Sequence, residues 1–416
     1  MKSTILALDS ADRSDDTPTA KLTTESDSTP RLLDLGALRL RLEKLTDRRK
    51  RRGKRYALPM LLLLVILAKL SGQDHPAGIA DWVANRDRQL RSVFHLGWKR
   101  MPHESTFRRL LEWMVSPEEL DQVISEHLRS QTGVGRSVLI SIDGKTVRGT
   151  IKWNESRGEH LLAAYLPEEG VVLMQVAAGD KDNEINAAPV LLRSLVLSGQ
   201  LAGKVVVGDA MHTQRALSVQ ILEAKADYLW FAKENQPTLR EDIRQLFEAD
   251  PKTVLGGSVE NDFASFRTVE KGHGRLEVRK ITVSSELAGY SDWPGLAQVF
   301  RLERKRVDLL RGKEETEVVY GLTSLRREEA SPARLLYLTR TYWGIENGLH
   351  GRRDVTFKED RTRLTRGKAG RVMASLNNLV ISLLRLSGYT NLAQARRECD
   401  ATLTLALACS TAGFRT

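Results

Sequence analysis

Cysteine is almost absent from this 416-residue chain: Cys399 and Cys409 are the only two, close together near the C-terminus in an apolar, helical-looking stretch. Two thiols cannot build a disulfide framework or a four-cysteine zinc site, and a reducing interior compartment is the natural setting. Long hydrophobic runs are missing as well. Before Asp9 the N-terminus offers only Ile5-Leu6-Ala7-Leu8, too short for the apolar region of a signal peptide. Leu61 to Ala68, stopped by Pro59 and Lys69, falls well under the roughly 18 residues of a membrane span. A soluble, cytoplasmic protein without a membrane partner is expected. Several catalytic signatures are lacking too: Gly199 and Gly203-Lys204 are too closely spaced for a P-loop, and neither G-x-S-x-G nor H-E-x-x-H occurs.

Negative charge is scarce relative to positive. The net charge is +11, and residues 1–30 hold six acids against three bases, so residues 31–416 carry +14. The excess is clustered, which favours a polyanionic partner through counterion release and affinity that falls steeply with salt. Arg48-Arg49-Lys50-Arg51-Arg52-Gly53-Lys54-Arg55 places seven bases in eight positions. Such a run is often only a solvated face, but at this density it repels itself unless an anion is near. Segment 352–371 holds eight bases against three acids. Arg301, Arg304, Lys305 and Arg306 form a third group, either a nucleic-acid surface or a strand edge protected by charge.

Length divided by about 150 suggests two or three domains. Residues 1–30, rich in Ser, Thr and Asp, cannot bury enough surface to order and read as a disordered tail. Residues 31–132 read as a helical DNA-binding domain or a plain helical packing domain: helices at Leu35 to Leu45, Leu58 to Leu70 and Ile79 to Leu90, and one capped by Ser105 or Thr106. From Ser137 the period becomes strand-like. Strands at 137–143, 160–166 and 171–178, the last two joined by a turn at Pro167-Glu168-Glu169-Gly170, precede a helix capped by Asn183, a strand at 204–208, a helix to Lys225, a strand at 228–232 and a helix at 238–247. That order, over 133–251, belongs to an α/β mixed sheet with helices on its faces. Residues 252–326 break the rhythm with four basic strands and read as an inserted β-rich subdomain. Helix returns over 327–390 with Ser331 as cap and Pro332 at the first turn, its stripe running through Leu335, Leu338, Tyr342, Ile345 and Leu349. Residues 391–416 form a last helix and tail. Trp230 and Phe231, inside a strand, read as core.

Asp143 and Asp209 each close a short apolar run, Val138 to Ile142 and Val205 to Gly208. A carboxylate at a strand end has fixed oxygens, and two such strands side by side would aim both at one Mg²⁺. A third acid, Glu346, sits at the edge of the downstream stripe, and His350, four residues on, shares its side of the helix. Three acids and positive charge suggest phosphodiester chemistry with two Mg²⁺ or Mn²⁺ ions about 4 Å apart. The bland alternative is a turn at Asp143-Gly144 or a helix cap. Glu184 is a rival or auxiliary ligand, or only a cap. Asp354, Glu359 and Asp360 read as surface partners of Arg352, Arg353, Arg361 and Arg363.

Five ordered blocks then carry a resemblance: Asp143-Gly144-Lys145-Thr146-Val147-Arg148-Gly149, Gly208-Asp209-Ala210-Met211-His212-Thr213-Gln214, Lys233-Glu234-Asn235-Gln236-Pro237-Thr238-Leu239, His273-Gly274-Arg275-Leu276-Glu277 and Trp343-Gly344-Ile345-Glu346-Asn347-Gly348-Leu349-His350. The chain from about Leu45 to Leu386 resembles the H-repeat-associated, ISAs-group insertion-sequence transposases of the DDE superfamily. Arg51-Arg52-Gly53-Lys54-Arg55-Tyr56 opens a segment similar to that family's N-terminal associated domain. The resemblance implies an RNase H-like mixed-sheet catalytic core with Asp143, Asp209 and Glu346 as the metal-binding catalytic triad. It also implies DNA partners, both the element's terminal inverted repeats and target DNA, a homodimer on DNA, and a nucleoid-associated location. DNA contacts are expected from Arg49, Lys50, Arg51, Arg52, Lys54, Arg55, Arg148, Lys233, Arg340, Arg352, Arg353 and Lys358, with Glu184 and His350 as auxiliaries of the site. The rival expectation is a catalytically silent, transposase-derived DNA-binding protein, and a structure-specific nuclease is a weaker one.

Overall fold

Ten strands punctuate the chain: β1 (Ile5–Leu6), β2 (Leu139–Val147), β3 (Glu159–Leu166), β4 (Val171–Ala177), β5 (Val205–Gly208), β6 (Asp227–Ala232), β7 (Ala264–Gly272), β8 (Arg275–Ser284), β9 (Gln298–Asp308) and β10 (Glu314–Thr323). The computed structural model describes residues 5–6, 35–131, 133–179, 184–248, 262–272 and 274–408. Apart from β1, the tail expected over 1–30 lies outside the described residues, as do the Asn183 cap and Cys409. The chain divides into two units, Met1–Ser28 with Leu201–Tyr342 and Thr29–Gln200 with Trp343–Thr416.

The unit built on Leu201–Tyr342 is a mixed sheet. β5 and β6 run parallel, Val206 opposite Tyr228, with the helix Arg215–Glu223 between them in sequence. The short apolar run Val205-Val206-Val207 is buried, as expected of a parallel strand covered on both faces. β10 pairs antiparallel with β6, Leu322 opposite Trp230, and β9, β8 and β7 continue the sheet outward, with β1 on β7. The strands of 252–326 therefore extend the sheet that holds β6. Gly321 shows how tightly they join: a Cβ there would lie 2.2 Å from the Phe300 ring and 2.4 Å from the Trp230 carbonyl. Trp230 and Phe231 are core residues, the indole donating to Ser218 Oγ at 3.0 Å.

β9 is an interior strand, so its bases do not guard an edge. They are neutralised across the ladder: Arg304 by Glu317 at 2.6 Å, Lys305 by Glu314 at 2.7 Å and Arg306 by Glu277 at 3.3 Å, while Arg301 meets Glu303 on its own strand at 2.9 Å. Cross-strand pairs of this kind stabilise an exposed ribbon and leave little net charge for a polyanion. The helix Pro332–Tyr342 closes the unit, and Ser331 Oγ accepts from Arg334 N at 3.4 Å as its cap.

In the other unit the antiparallel trio β2, β3 and β4 shares a core with helices from both ends of the chain. Ser141 pairs with Tyr165, and Gly144 with Leu162; Gly170, at φ 75°, completes the turn between β3 and β4. Leu58–Leu70 is apolar on every face and buried almost throughout. Ala369–Leu386 is buried over most of its length and packs against Pro117–Arg129, β4 and Leu58–Leu70. The helices of 35–129 thus share a unit with the end of the chain.

Three helix expectations need correction. The helix over Ile79 to Leu90 is two, Pro76–Asn85 and Asp87–Phe94, because Arg86 leaves helical geometry at φ −111° and ψ 21°. The next is capped by His103, whose ring accepts from Ser105 N, so Ser105 and Thr106 lie inside it. Leu392–Ala401 and Leu403–Ala408 are separate, parted at Thr402.

Candidate active site

β2 does not stop at Asp143. It runs four residues further to Val147, with Asp143 opposite Ala163. The acid is therefore mid-strand, and the turn at Asp143-Gly144 is ruled out; the polar run Asp-Gly-Lys-Thr hid a continuing ladder whose partner strand supplies the hydrogen bonds. Asp143 Oδ1 accepts from Gly144 N at 3.0 Å, and Oδ2 lies 3.2 Å from His350 Nε2. His350 ends a π-helical turn, Glu346–His350, that Glu346 opens. Ile345 and Leu349 anchor it in the core, and Gly348 lets it press on β3, since a Cβ there would sit 2.6 Å from the Tyr165 hydroxyl. Glu346 itself is exposed. One local structure thus carries the first and third acids of the expected triad.

Glu184 is more than a helix residue. Its carboxyl carbon lies 2.2 Å from the position a Cβ on Gly144 would take, so only glycine at 144 admits it against β2. Oε1 is 2.9 Å from His160 Nε2, and His160 Nδ1 is 2.8 Å from Thr146 Oγ1. No motif pointed to His160; its register opposite Thr146 in the β2–β3 pair is what brings it here. Lys145, also unanticipated, is nearly buried at 9% exposure and pairs with Asp354 at 2.5 Å and Asp360 at 3.7 Å. These two acids are therefore not partners of Arg352, Arg361 and Arg363.

Asp209 follows β5 directly, in the other unit, and caps the turn Ala210–His212 by accepting from Ala210 N at 2.6 Å. The block after β6 locks that turn: Asn235 Nδ2 donates to Ala210 O at 2.6 Å, and Gln236 Nε2 to Thr213 O at 2.9 Å. Thr213 Oγ1 donates to Phe231 O at 2.7 Å. Lys233, expected at DNA, is 3.3 Å from Asp209 Oδ1, with both side chains about half exposed. It neutralises the acid on which the chemistry would turn.

Two of the expected DNA contacts are structural. Arg353 is fully buried and holds Glu359, Nε and Nη2 each 2.8 Å from Oε2. Arg49 grips Asp47 through Nε and Nη2, each at 2.8 Å, and donates to the Tyr56 carbonyl, its side chain 8% exposed. A guanidinium so engaged has no free donor edge for phosphate. Arg340 pairs with Glu270 at 2.5 Å. Arg352 is half-buried, and burial pushes its pKa down. Lys54 reaches the Asp47 carbonyl yet stays partly exposed, and Lys50, Arg52, Arg55, Arg148 and Lys358 are exposed.

Asp143, Asp209 and Glu346 are hard oxygen donors of the type Mg²⁺ selects, and the first two have one oxygen oriented by a backbone N–H. Among the described residues, no three His, Cys, Asp or Glu side chains stand close enough together to hold a metal ion. The donor chemistry of the three acids fits a divalent cation.

Residues 135–383 match the family described as Transposase DDE domain, and residues 40–128 match the one described as DDE_Tnp_1-associated. The chain belongs to the DDE transposase family. Among its relatives, the candidate transposase YncI of Escherichia coli O157:H7 is 29% identical over 81% of this chain and 84% of its own length. The H repeat-associated candidate transposase YhhI of Escherichia coli (strain K12) is 27% identical over 85% and 91%. A solved piggyBac transposase synaptic complex with hairpin DNA aligns at a TM-score of 0.41 and 11% identity, over 92% of this chain and 79% of that one. Among the described residues no helix is long and apolar enough to cross a membrane.

Proposed function

We propose that this transposase binds the terminal inverted repeats of its own element, hydrolyses a strand to free a 3′-hydroxyl, and joins that end to target DNA, with Asp143, Asp209 and Glu346 as the catalytic acids. The observation that carries the reading is the 3.2 Å approach of His350 to Asp143, because it ties the Glu346 turn to β2. The order β2, β3, β4, helix, β5, helix, β6 supports an RNase H-like core.

Two Mg²⁺ or Mn²⁺ ions, when bound by the three acids, would activate the attacking oxygen and stabilise the leaving one. The chain's own residues supply the rest. Gly144 N–H and Ala210 N–H fix one oxygen of Asp143 and one of Asp209. His350, charged only when protonated, steadies the second Asp143 oxygen. Glu184, held by His160, packs against Gly144, the neighbour of Asp143 in β2. Exposed Lys50, Arg52, Arg55 and Arg148 are free to meet phosphates that position the DNA without reading its sequence.

The test uses DNA from the ends flanking the coding region and the full chain with Mg²⁺. Asp143→Ala, Asp209→Ala and Glu346→Gln are each expected to abolish nicking and strand joining while end binding persists. A variant that cuts at the wild-type rate removes its residue from the triad. The second reading, a catalytically silent DNA-binding protein, is favoured by the Lys233–Asp209 pair, which neutralises one of the three acids. It requires end binding by the wild type with no metal-dependent nicking at all.

A further inference from the structure

A cavity of 740 Å³ opens to solvent within the unit that contains Asp143, apart from the acids described above. One wall is the segment 358–366, whose Lys358, Arg361, Arg363 and Arg366 all line it. All four side chains are exposed, and among the described residues none has a carboxylate within ion-pair distance. The acids of the opposite walls are already engaged: Asp74 by Lys69 and Arg396, Glu104 by Arg108, and Glu112 by the Trp113 indole at 3.0 Å. The contrast with β9 is instructive, since there every base has an acidic partner.

This basic wall is not a loose loop. Glu359, between Lys358 and Arg361, turns inward, 5% exposed, to accept from Arg353 and, at 2.8 Å, from Asn377 Nδ2. Asp360 accepts from Arg148 N at 3.0 Å, Leu364 N donates to Gly149 O at 3.1 Å, and Lys368 N donates to Glu112 O at 3.0 Å. Gly149 and Gly367 allow the contact, because a Cβ on either would strike the carbonyl of Thr362 or Glu112 at 2.3 Å. Four like charges are thus held together on a fixed backbone. Among the described residues no ion pair relieves their mutual repulsion, and a polyanion relieves it by counterion release. A fixed array also loses less ordering entropy on binding than a flexible tail does.

We infer that the 358–366 wall is a preformed track for the phosphodiester backbone of duplex DNA, with the buried Arg353–Glu359 pair as its strut. The inference rests on the transposase reading, in that DNA is the polyanion. Four spaced cations suit a run of phosphates better than one small anion, and a track that meets only backbone is indifferent to sequence.

A fluorescein-labelled duplex of arbitrary sequence is therefore a sufficient probe for the full-length chain, titrated at several salt concentrations. Arg361→Gln/Arg363→Gln/Arg366→Gln should bind at least about tenfold more weakly at moderate salt. The slope of log K against log salt should shrink by roughly 2 to 3, at about 0.9 for each phosphate that is no longer neutralised. A control triple, Lys225→Gln/Lys280→Gln/Arg326→Gln, removes the same charge from exposed positions elsewhere and should leave the slope nearly unchanged. Circular dichroism melts confirm that each variant is folded. Equal slopes for the track triple and the wild type overturn the track alone, as does an equal loss in the control triple. A wild-type chain that binds end-bearing duplex but not this one at low salt overturns the track alone, and one that binds neither overturns the DNA reading and the track with it.

Discussion

At the scale of single residues, the molecule places several charges where water cannot reach them, and one gives a pH signature. Asp121 is buried, and burial pushes its carboxyl up to about 7 from an ordinary value of 3.8. Between those two values the folded chain keeps a proton that the unfolded chain releases, so stability falls as pH rises from about 4 to about 7 and levels off above. Asp121→Asn removes the dependence. Its stability relative to wild type should climb over that window by at most about 4 kcal/mol, from roughly 3 pK units at 1.36 kcal/mol each. Urea unfolding at pH 4.5 and pH 8 reads the effect. A difference that does not change with pH would show that Asp121 ionises freely in the fold.

Elements make a different use of charge. The segment after the Glu346 turn is held by Arg353 and Glu359, both buried, with Asn377 completing the acceptor set. Losing one partner of such a pair strands the other in the core, typically at about 3 to 5 kcal/mol, whereas replacing both by apolar or neutral groups of similar volume is far milder. Arg353→Met should accordingly destabilise by that order, and Arg353→Met/Glu359→Gln should recover much of the loss. A double-mutant cycle by denaturant unfolding measures the coupling. Additive losses would mean the two side chains do not depend on each other. The π turn before it belongs to the same scale: Gly348 against Tyr165 and Leu349 in the core set where Glu346 and His350 stand.

For the whole molecule, the proposed reaction needs two element ends joined at once, and a homodimer on DNA is the expected assembly. Mass measurement by sedimentation of the chain mixed with end-bearing duplex should show a species with two protomers and two DNA molecules. A single protomer on a single duplex at all concentrations would rule that assembly out. The charge of residues 31–416 acts at this scale as well, but unevenly. The bases of β9 are cancelled by neighbouring carboxylates, while among the described residues those of 358–366 are not, so net charge alone misjudges where a polyanion would sit.

Much was legible in the order of residues, because local pattern has local causes. The apolar Leu58–Leu70 and Ala369–Leu386 helices, the Ser331 cap, the turn closed by Gly170 and the short buried strand before Asp209 follow from hydrophobic period, capping and the conformational freedom of glycine. The five motif blocks, read together, pointed to the DDE transposases. What tertiary structure alone decided was which charge meets which. Strand register carried β2 past Asp143 and brought His160 to Thr146. The close approaches at Gly144 and Gly348 seat Glu184 against β2 and the Glu346 turn against β3. Burial withdrew Arg353 and Arg49 from solvent while leaving Arg361, Arg363 and Arg366 in it. An arginine reads the same in a sequence whether it faces a buried carboxylate or water; its role is set by partners far along the chain, and only folding supplies them.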